Sequence, residues 1–103
     1  MSKGADATPD LGPRARLRRI EGIAWRMIDE EAVLVNVRRD DVMHLNPVAS
    51  SLWSSLDGQA SLEDIARSMT EEYDVDLEVA LADAITFAGS LVEQGAAEIV
   101  ELE

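Results

Sequence analysis

Residues 42–58, Val-Met-His-Leu-Asn-Pro-Val-Ala-Ser-Ser-Leu-Trp-Ser-Ser-Leu-Asp-Gly, constrain the fold more than any other stretch, because they join an apolar strand directly to a capped amphipathic helix. Val42, Met43 and Leu45 suit a pleated strand. Asn46 then supplies a side-chain acceptor where a helix N-cap needs one, and Pro47 stands at the first helical position, where its missing N–H is no loss. Ala49, Leu52, Trp53 and Leu56 follow at helical spacing and share one face, so Trp53 is expected in the core. Asp57-Gly58 is expected to end the helix.

A chain of 103 residues with 47% apolar side chains can bury one modest core. It contains no cysteine, which removes disulfides, thiolate metal sites and a cysteine nucleophile together. Neither a signal-like apolar run nor a membrane-length segment is present, so a soluble, cytoplasmic protein with no membrane partner is expected. Charge is divided along the chain. Residues 1–39 hold eight Lys/Arg against six Asp/Glu, whereas residues 40–103 hold one against fifteen, within a net charge of -12. Such an acidic body repels phosphate backbones and attracts basic peptides. It also serves plain solubility, and charge alone does not separate the two.

Residues 1–19 mix Gly, Ala, Pro, Asp and Arg without either apolar period and read as a flexible tail, leaving 20–103 as the folded domain. Strand patterns follow. Trp25 and Met27 alternate with Arg26, Asp29-Glu30-Glu31 marks a turn, Ala32–Val37 is β-branched, and Arg38–Asp41 turns the chain into Val42–Leu45. Val33, Val35 and Val37 share one face and are expected to look at the core, with Leu34 and Asn36 on the far face. Ser61 and Asp64 form a capping-box pattern for a second helix to about Tyr73. A third helix runs from about Asp76 to Gly95, which suits a left-handed cap. Ala97–Leu102 alternates and is expected to close the chain as an edge strand or wing. The expected fold is therefore α+β and winged helix-turn-helix-like: a three-stranded antiparallel β-meander followed by three helices.

Little in the inventory supports catalysis. His44, the only histidine, lies in a strand with no nucleophile motif nearby. Asp74, Asp76 and Glu78 alternate like calcium ligands, yet Val79 stands where the loop needs glycine and Ile85 where it needs glutamate. No metal or cofactor is expected, and the chain is read as a non-enzyme. Duplex DNA is an unfavourable partner, since the third helix carries Asp76, Glu78, Asp83 and Glu93 and no Lys or Arg. Recognition of a peptide or protein remains, because an exposed strand edge offers unpaired backbone groups.

Leu45-Asn46, Ala49 with Leu52-Trp53, Asp57-Gly58, and Asp83 with Phe87, Leu91 and Gly95 occur together in an order that resembles the PqqD family, whose members are also called RiPP recognition elements. Ile65 and Tyr73 fit the intervening helix. The chain departs from the family in having Ala84, Ala88, Ala96 and Ala97 where bulkier aliphatics are usual, and no glycine in Arg38–Asp41. The resemblance implies a chaperone that binds the leader of a ribosomally made precursor peptide as an added strand and presents it to a maturation enzyme, commonly a radical-SAM enzyme or a leader peptidase. It places the peptide against Asp41, Val42, Met43, His44 and Leu45 on one side and Ala80, Asp83, Ala84 and Phe87 on the other. Phe87 is equally readable as a core residue. Two alternatives stand beside this one: a winged-helix regulator acting on protein partners, and a homodimerising module that uses the far face of the sheet.

Overall fold

The computed structural model describes residues 11–102. Along the chain run β1 (Arg16–Arg19), β2 (Ile23–Ile28), β3 (Glu31–Asn36), β4 (Asp41–His44), α1 (Pro47–Ser55), β5 (Asp57–Ser61), α2 (Leu62–Glu72), α3 (Leu77–Glu93) and β6 (Ala97–Glu101). Strands β2, β3 and β4 form the expected antiparallel meander, followed by the three expected helices. A second sheet, in the order β5-β1-β6, lies outside that expectation.

Turn chemistry explains the meander. Asp29 and Glu30 both take positive φ, 52° and 69°, the geometry of the two-residue hairpin turn whose twist matches the flanking strands. Between β3 and β4 the Asn36 carboxamide oxygen accepts from the N–H groups of Arg38 and Arg39 at 3.1 and 3.3 Å. Asp40, with φ 58°, then closes the turn without glycine, as a short polar residue can.

The face of β3 is the reverse of the one expected. Ala32 and Leu34 are buried, Val35 is exposed, and Val37, beyond the strand, is 71% exposed. Side chains alternate with period two, so a phase error of one residue moves the whole set to the other face. The phase is fixed here by α1. The Ala32 N–H donates to Ser50 Oγ at 2.6 Å, and Ser50 Oγ in turn donates to the Leu45 carbonyl at 3.1 Å. Ala32 must therefore face the helix, and valines 33 and 35 turn away from it.

The expected tail is also corrected. Residues 1–10 lie outside the described residues, but 11–19 are built into the domain. Leu17 and Ala15 are fully buried, and β1 is the central strand of the second sheet. Two of its three arginines lie opposite acidic residues of β6, Arg16 with Glu101 at 3.2 Å and Arg18 with Glu98. The carbonyls of Ala15 and Pro13 accept from the N–H groups of Leu62 and Glu63 at 2.9 and 2.8 Å. Together with the observed Ser61–Asp64 capping box, they satisfy the free donors that begin α2.

The ends of the other helices follow their sequence signals. Asn46 caps α1 by accepting from Ala49 N–H at 2.8 Å. Helix α1 ends at Ser55, and Asp57-Gly58 opens β5 instead of only terminating the helix. The Asp57 carboxylate is held below its ordinary range chiefly by accepting the Ala60 and Gln59 N–H groups. At the end of α3, Gly95 (φ 75°) and Ala96 return hydrogen bonds to the carbonyls of Val92 and Leu91, the two-bond closure that a left-handed residue permits.

Trp53 joins the layers. It is fully buried, packs edge-to-face against Trp25 with centroids 5.8 Å apart, and lies under the Arg19 guanidinium. Arg19 also reaches over Trp25 and donates to the carbonyls of Trp53 and Ser54 at 3.1 and 2.9 Å, so one cation from β1 fastens the C-terminal end of α1 to β2. Trp53→Ala is expected to destabilise the domain by about 3–5 kcal/mol through the cavity it leaves. Ser50→Ala is expected to lower stability by about 1–3 kcal/mol by stranding the Ala32 N–H and the Leu45 carbonyl. Thermal melts of both variants check this, and a shift of only a degree or two for Trp53→Ala would contradict the packing.

Candidate functional site

β4 is an edge strand, and the hydrogen-bond alternation identifies its free groups. Leu45 N–H donates to the Ala32 carbonyl at 2.9 Å, in the same register that pairs Met43 with Leu34 and Asp41 with Asn36. In an antiparallel pair, bonded and non-bonded positions alternate. Asp41 and Met43 therefore spend their backbone groups on β3, as Leu45 does its N–H, its carbonyl going to Ser50, while the N–H and C=O of Val42 and His44 point out of the sheet. Beyond Leu45 the Ser50 hydroxyl takes over, ending the ladder and turning the chain into α1.

Beside this edge a cleft of about 490 Å³ opens between α1 and α3. Asn46, directly after β4, marks one boundary. Val48, Ala49 and Leu52 of α1 and Met69 of α2 supply apolar lining, and α3 contributes Ala84 and Phe87 with Asp83 at the rim. Among the described residues Asp83 is the one charged group in the lining, which also includes Thr86 and Ser90 of α3, so the cleft is a largely apolar slot with an acidic lip. Small residues make the room: Ala49 and Ala84 stand where larger side chains would fill the space between the helices.

The sheet is tied to the end of α3. Arg39, in the β3–β4 turn, donates to the Glu93 carbonyl at 3.3 Å, and Asn36 donates to the Gln94 carbonyl at 3.5 Å. A cation at a helix C-terminus meets the negative end of the dipole. The Arg39 guanidinium lies 3.1 Å from where a Cβ on Gly95 would stand, so glycine there serves both the left-handed turn and this close approach. The loop that launches β4 is thus fastened to the end of α3.

The residues expected at the site divide into three groups. Asp83, Ala84 and Phe87 line the cleft, and Phe87 is half-buried against the core as well. Asp41, Val42, Met43 and His44 lie along the strand edge outside the cleft; Val42 is 60% exposed, and Met43 is half-buried on the core side. Leu45 and Ala80 are buried, so they shape the walls from behind. Sequence reasoning missed Asn46, Val48, Ala49 and Leu52 as lining, although the capped-helix signal had already placed them beside the strand. It also missed Arg39, for which no local signal exists.

A sequence model of the family described as coenzyme PQQ synthesis protein D (PqqD) matches residues 31–97. No curated protein sequence matches at comparable significance. Among solved structures, a lasso peptide synthetase B1 complexed with its leader peptide is 30% identical, with a TM-score of 0.73 over 82% of this chain and 99% of that one. TbiB1 in complex with the TbiA(beta) leader peptide is 26% identical, with a TM-score of 0.72 over 79% and 94%. The PqqD truncation of Methylobacterium extorquens PqqCD, a stand-alone RiPP recognition element, shares the fold at 22% identity, with a TM-score of 0.72 over 88% and 96%.

The edge assignment is testable without any ligand. Proline removes the N–H, so Met43→Pro breaks a β3–β4 ladder bond and is expected to lower stability by about 1–3 kcal/mol. His44→Pro removes only an outward N–H and should melt within a few degrees of the unaltered chain, because edge positions tolerate proline. Equal losses in the two thermal melts would overturn the register.

Proposed function

The chain belongs to the PqqD family, and from that premise we propose that it binds the leader segment of a ribosomally synthesised precursor peptide as a strand added to β4, and presents that precursor to a modifying enzyme. The observation that carries this reading is the conjunction of outward backbone groups at Val42 and His44 with an apolar, acid-lipped cleft beside them. Backbone pairing supplies affinity that tolerates many sequences, and pockets for alternate side chains supply selectivity. In an added strand, every second side chain turns toward α1 and α3, where Val48, Ala49, Leu52, Ala84 and Phe87 take apolar groups. Asp83 pairs with a basic residue of the leader. Two solved relatives at 26% and 30% identity are leader-peptide complexes, which supports the same ligand class here.

The chain performs no chemistry in this scheme. Its work is to hold and position, raising the effective concentration of the precursor at an enzyme it also engages. The partners are a precursor peptide and a maturation enzyme, commonly a radical-SAM enzyme or a leader peptidase in this family, in a cytoplasmic setting. Among the described residues α3 carries no Lys or Arg, so a regulator that reads duplex DNA gains no support.

Amide NMR titration with a candidate leader, taken from a short precursor gene neighbouring that of this chain, is the test. Shifts are expected to cluster at residues 41–46 and 80–87, and Asp83→Lys should weaken a basic leader severalfold while leaving the melting temperature nearly unchanged. Shifts confined to Val33 and Val35 on the outer face of the sheet, or to Arg14–Arg19, would overturn the proposal.

A further inference from the structure

The meander has a second edge, and its composition is unusual for one left open. β2 reads Ile-Ala-Trp-Arg-Met-Ile and pairs with β3 alone. Since Ala32, Leu34 and Asn36 bond toward β4, residues Glu31, Val33 and Val35 bond toward β2, and their partners Ile28, Arg26 and Ala24 turn inward. The N–H and C=O of Trp25 and Met27 therefore face outward, with no pairing strand among the described residues. Natural edge strands are usually blunted by charged side chains, especially lysine, by proline, a bulge or a covering element. β2 carries one charge, Arg26, and no lysine or proline, and its register with β3 is unbroken over six residues. Trp25, Met27 and Ile28 are 37%, 47% and 51% exposed. Trp25 is also held rigid between Trp53 and Arg19, and ordered aromatic, Met and Arg side chains are what protein interfaces concentrate.

We propose that the β2 edge docks an apolar, basic-ended strand of the modifying enzyme, so that enzyme and leader occupy opposite edges of one sheet. The inference rests on the function proposed above. Charge decides the occupant. Glu21 precedes β2, and Asp29, Glu30 and Glu31 follow it. A second copy paired antiparallel in full overlap, Trp25 against Trp25, brings Glu21 of each copy opposite Asp29 of the other, and like charges directly opposite are unfavourable. A net charge of -12 on each chain opposes self-association further. A strand with basic residues at its ends meets the same groups as attractive pairs. Because strands in a sheet lie about 4.8 Å apart, the docked strand and the leader would run about 19 Å from one another, with β2, β3 and β4 between them. Neither displaces the other.

Calorimetric titrations separate the two edges. The unaltered chain, Met27→Pro, Met27→Lys and His44→Pro are each titrated with a candidate maturation enzyme from a neighbouring gene and, separately, with a candidate leader peptide. Met27→Pro spares the β2–β3 ladder because its N–H faces outward, and Met27→Lys guards against a proline-specific distortion. Both are expected to weaken enzyme binding at least tenfold and to leave leader affinity within twofold, while His44→Pro does the reverse. Unchanged enzyme affinity in both Met27 variants overturns the proposal, as does failure of the unaltered chain to bind that enzyme. A dimer in sedimentation that Met27→Pro dissolves overturns it in favour of a second copy. Failure of the unaltered chain to bind the leader counts instead against the function proposed above.

Discussion

One buried hydroxyl organises the junction on which the rest of this domain depends. Ser50 is the buried polar residue of the described core, and its Oγ stands where the β3–β4 ladder would otherwise have closed its next rung, accepting from Ala32 and donating to Leu45. Interposing a side-chain hydroxyl satisfies both backbone groups while prising the strands apart. That is how β4 stops and α1 begins within two residues. The same contact fixes which face of β3 meets the helix, and hence which backbone groups of β4 remain free.

The cleft follows from that junction together with two arginine contacts at a distance from it. Arg19 fastens the C-terminal end of α1 to β1 and β2, and Arg39 fastens the β3–β4 turn to the end of α3. Between these fixed points the small side chains of Ala49 and Ala84 leave a largely apolar slot between α1 and α3, beside an unpaired strand edge. A site of this kind has its backbone donors and acceptors aligned before any peptide arrives, so less ordering entropy opposes binding. In the proposed scheme recognition is divided accordingly: the strand edge reads no sequence, whereas the slot and the Asp83 lip read side chains.

Local chemistry explains why so much was legible in the sequence. Asn46-Pro47, the Ser61–Asp64 pair and Gly95 announce helix ends because each satisfies groups within a few residues of itself. The meander was legible because its turns are short and its strands β-branched, and Asp83, Ala84 and Phe87 were placed because helical periodicity and the family resemblance agree on them. What stayed hidden depends on partners far along the chain. Arg16-Leu17-Arg18-Arg19 looks like a solvated tail until Glu98 and Glu101 arrive opposite it, some eighty residues later. The phase of β3 was misread because valine propensity marks a strand without saying which face it buries; the Ser50 contact that settles it joins residues 18 apart. Arg39 has no signal at all, since its role exists only once α3 has ended beside it.

The central claim is strand addition at β4, and amide hydrogen exchange tests it most directly. In the free protein the N–H groups of Asp41 and Met43, bonded to β3, should be protected, and those of Val42 and His44 should exchange freely. On saturation with a bound leader peptide, the N–H groups of Val42 and His44 should both gain protection by at least tenfold while Met43 changes little. Leader binding that leaves Val42 and His44 exchanging as in the free protein would contradict the account and place the peptide elsewhere on the domain.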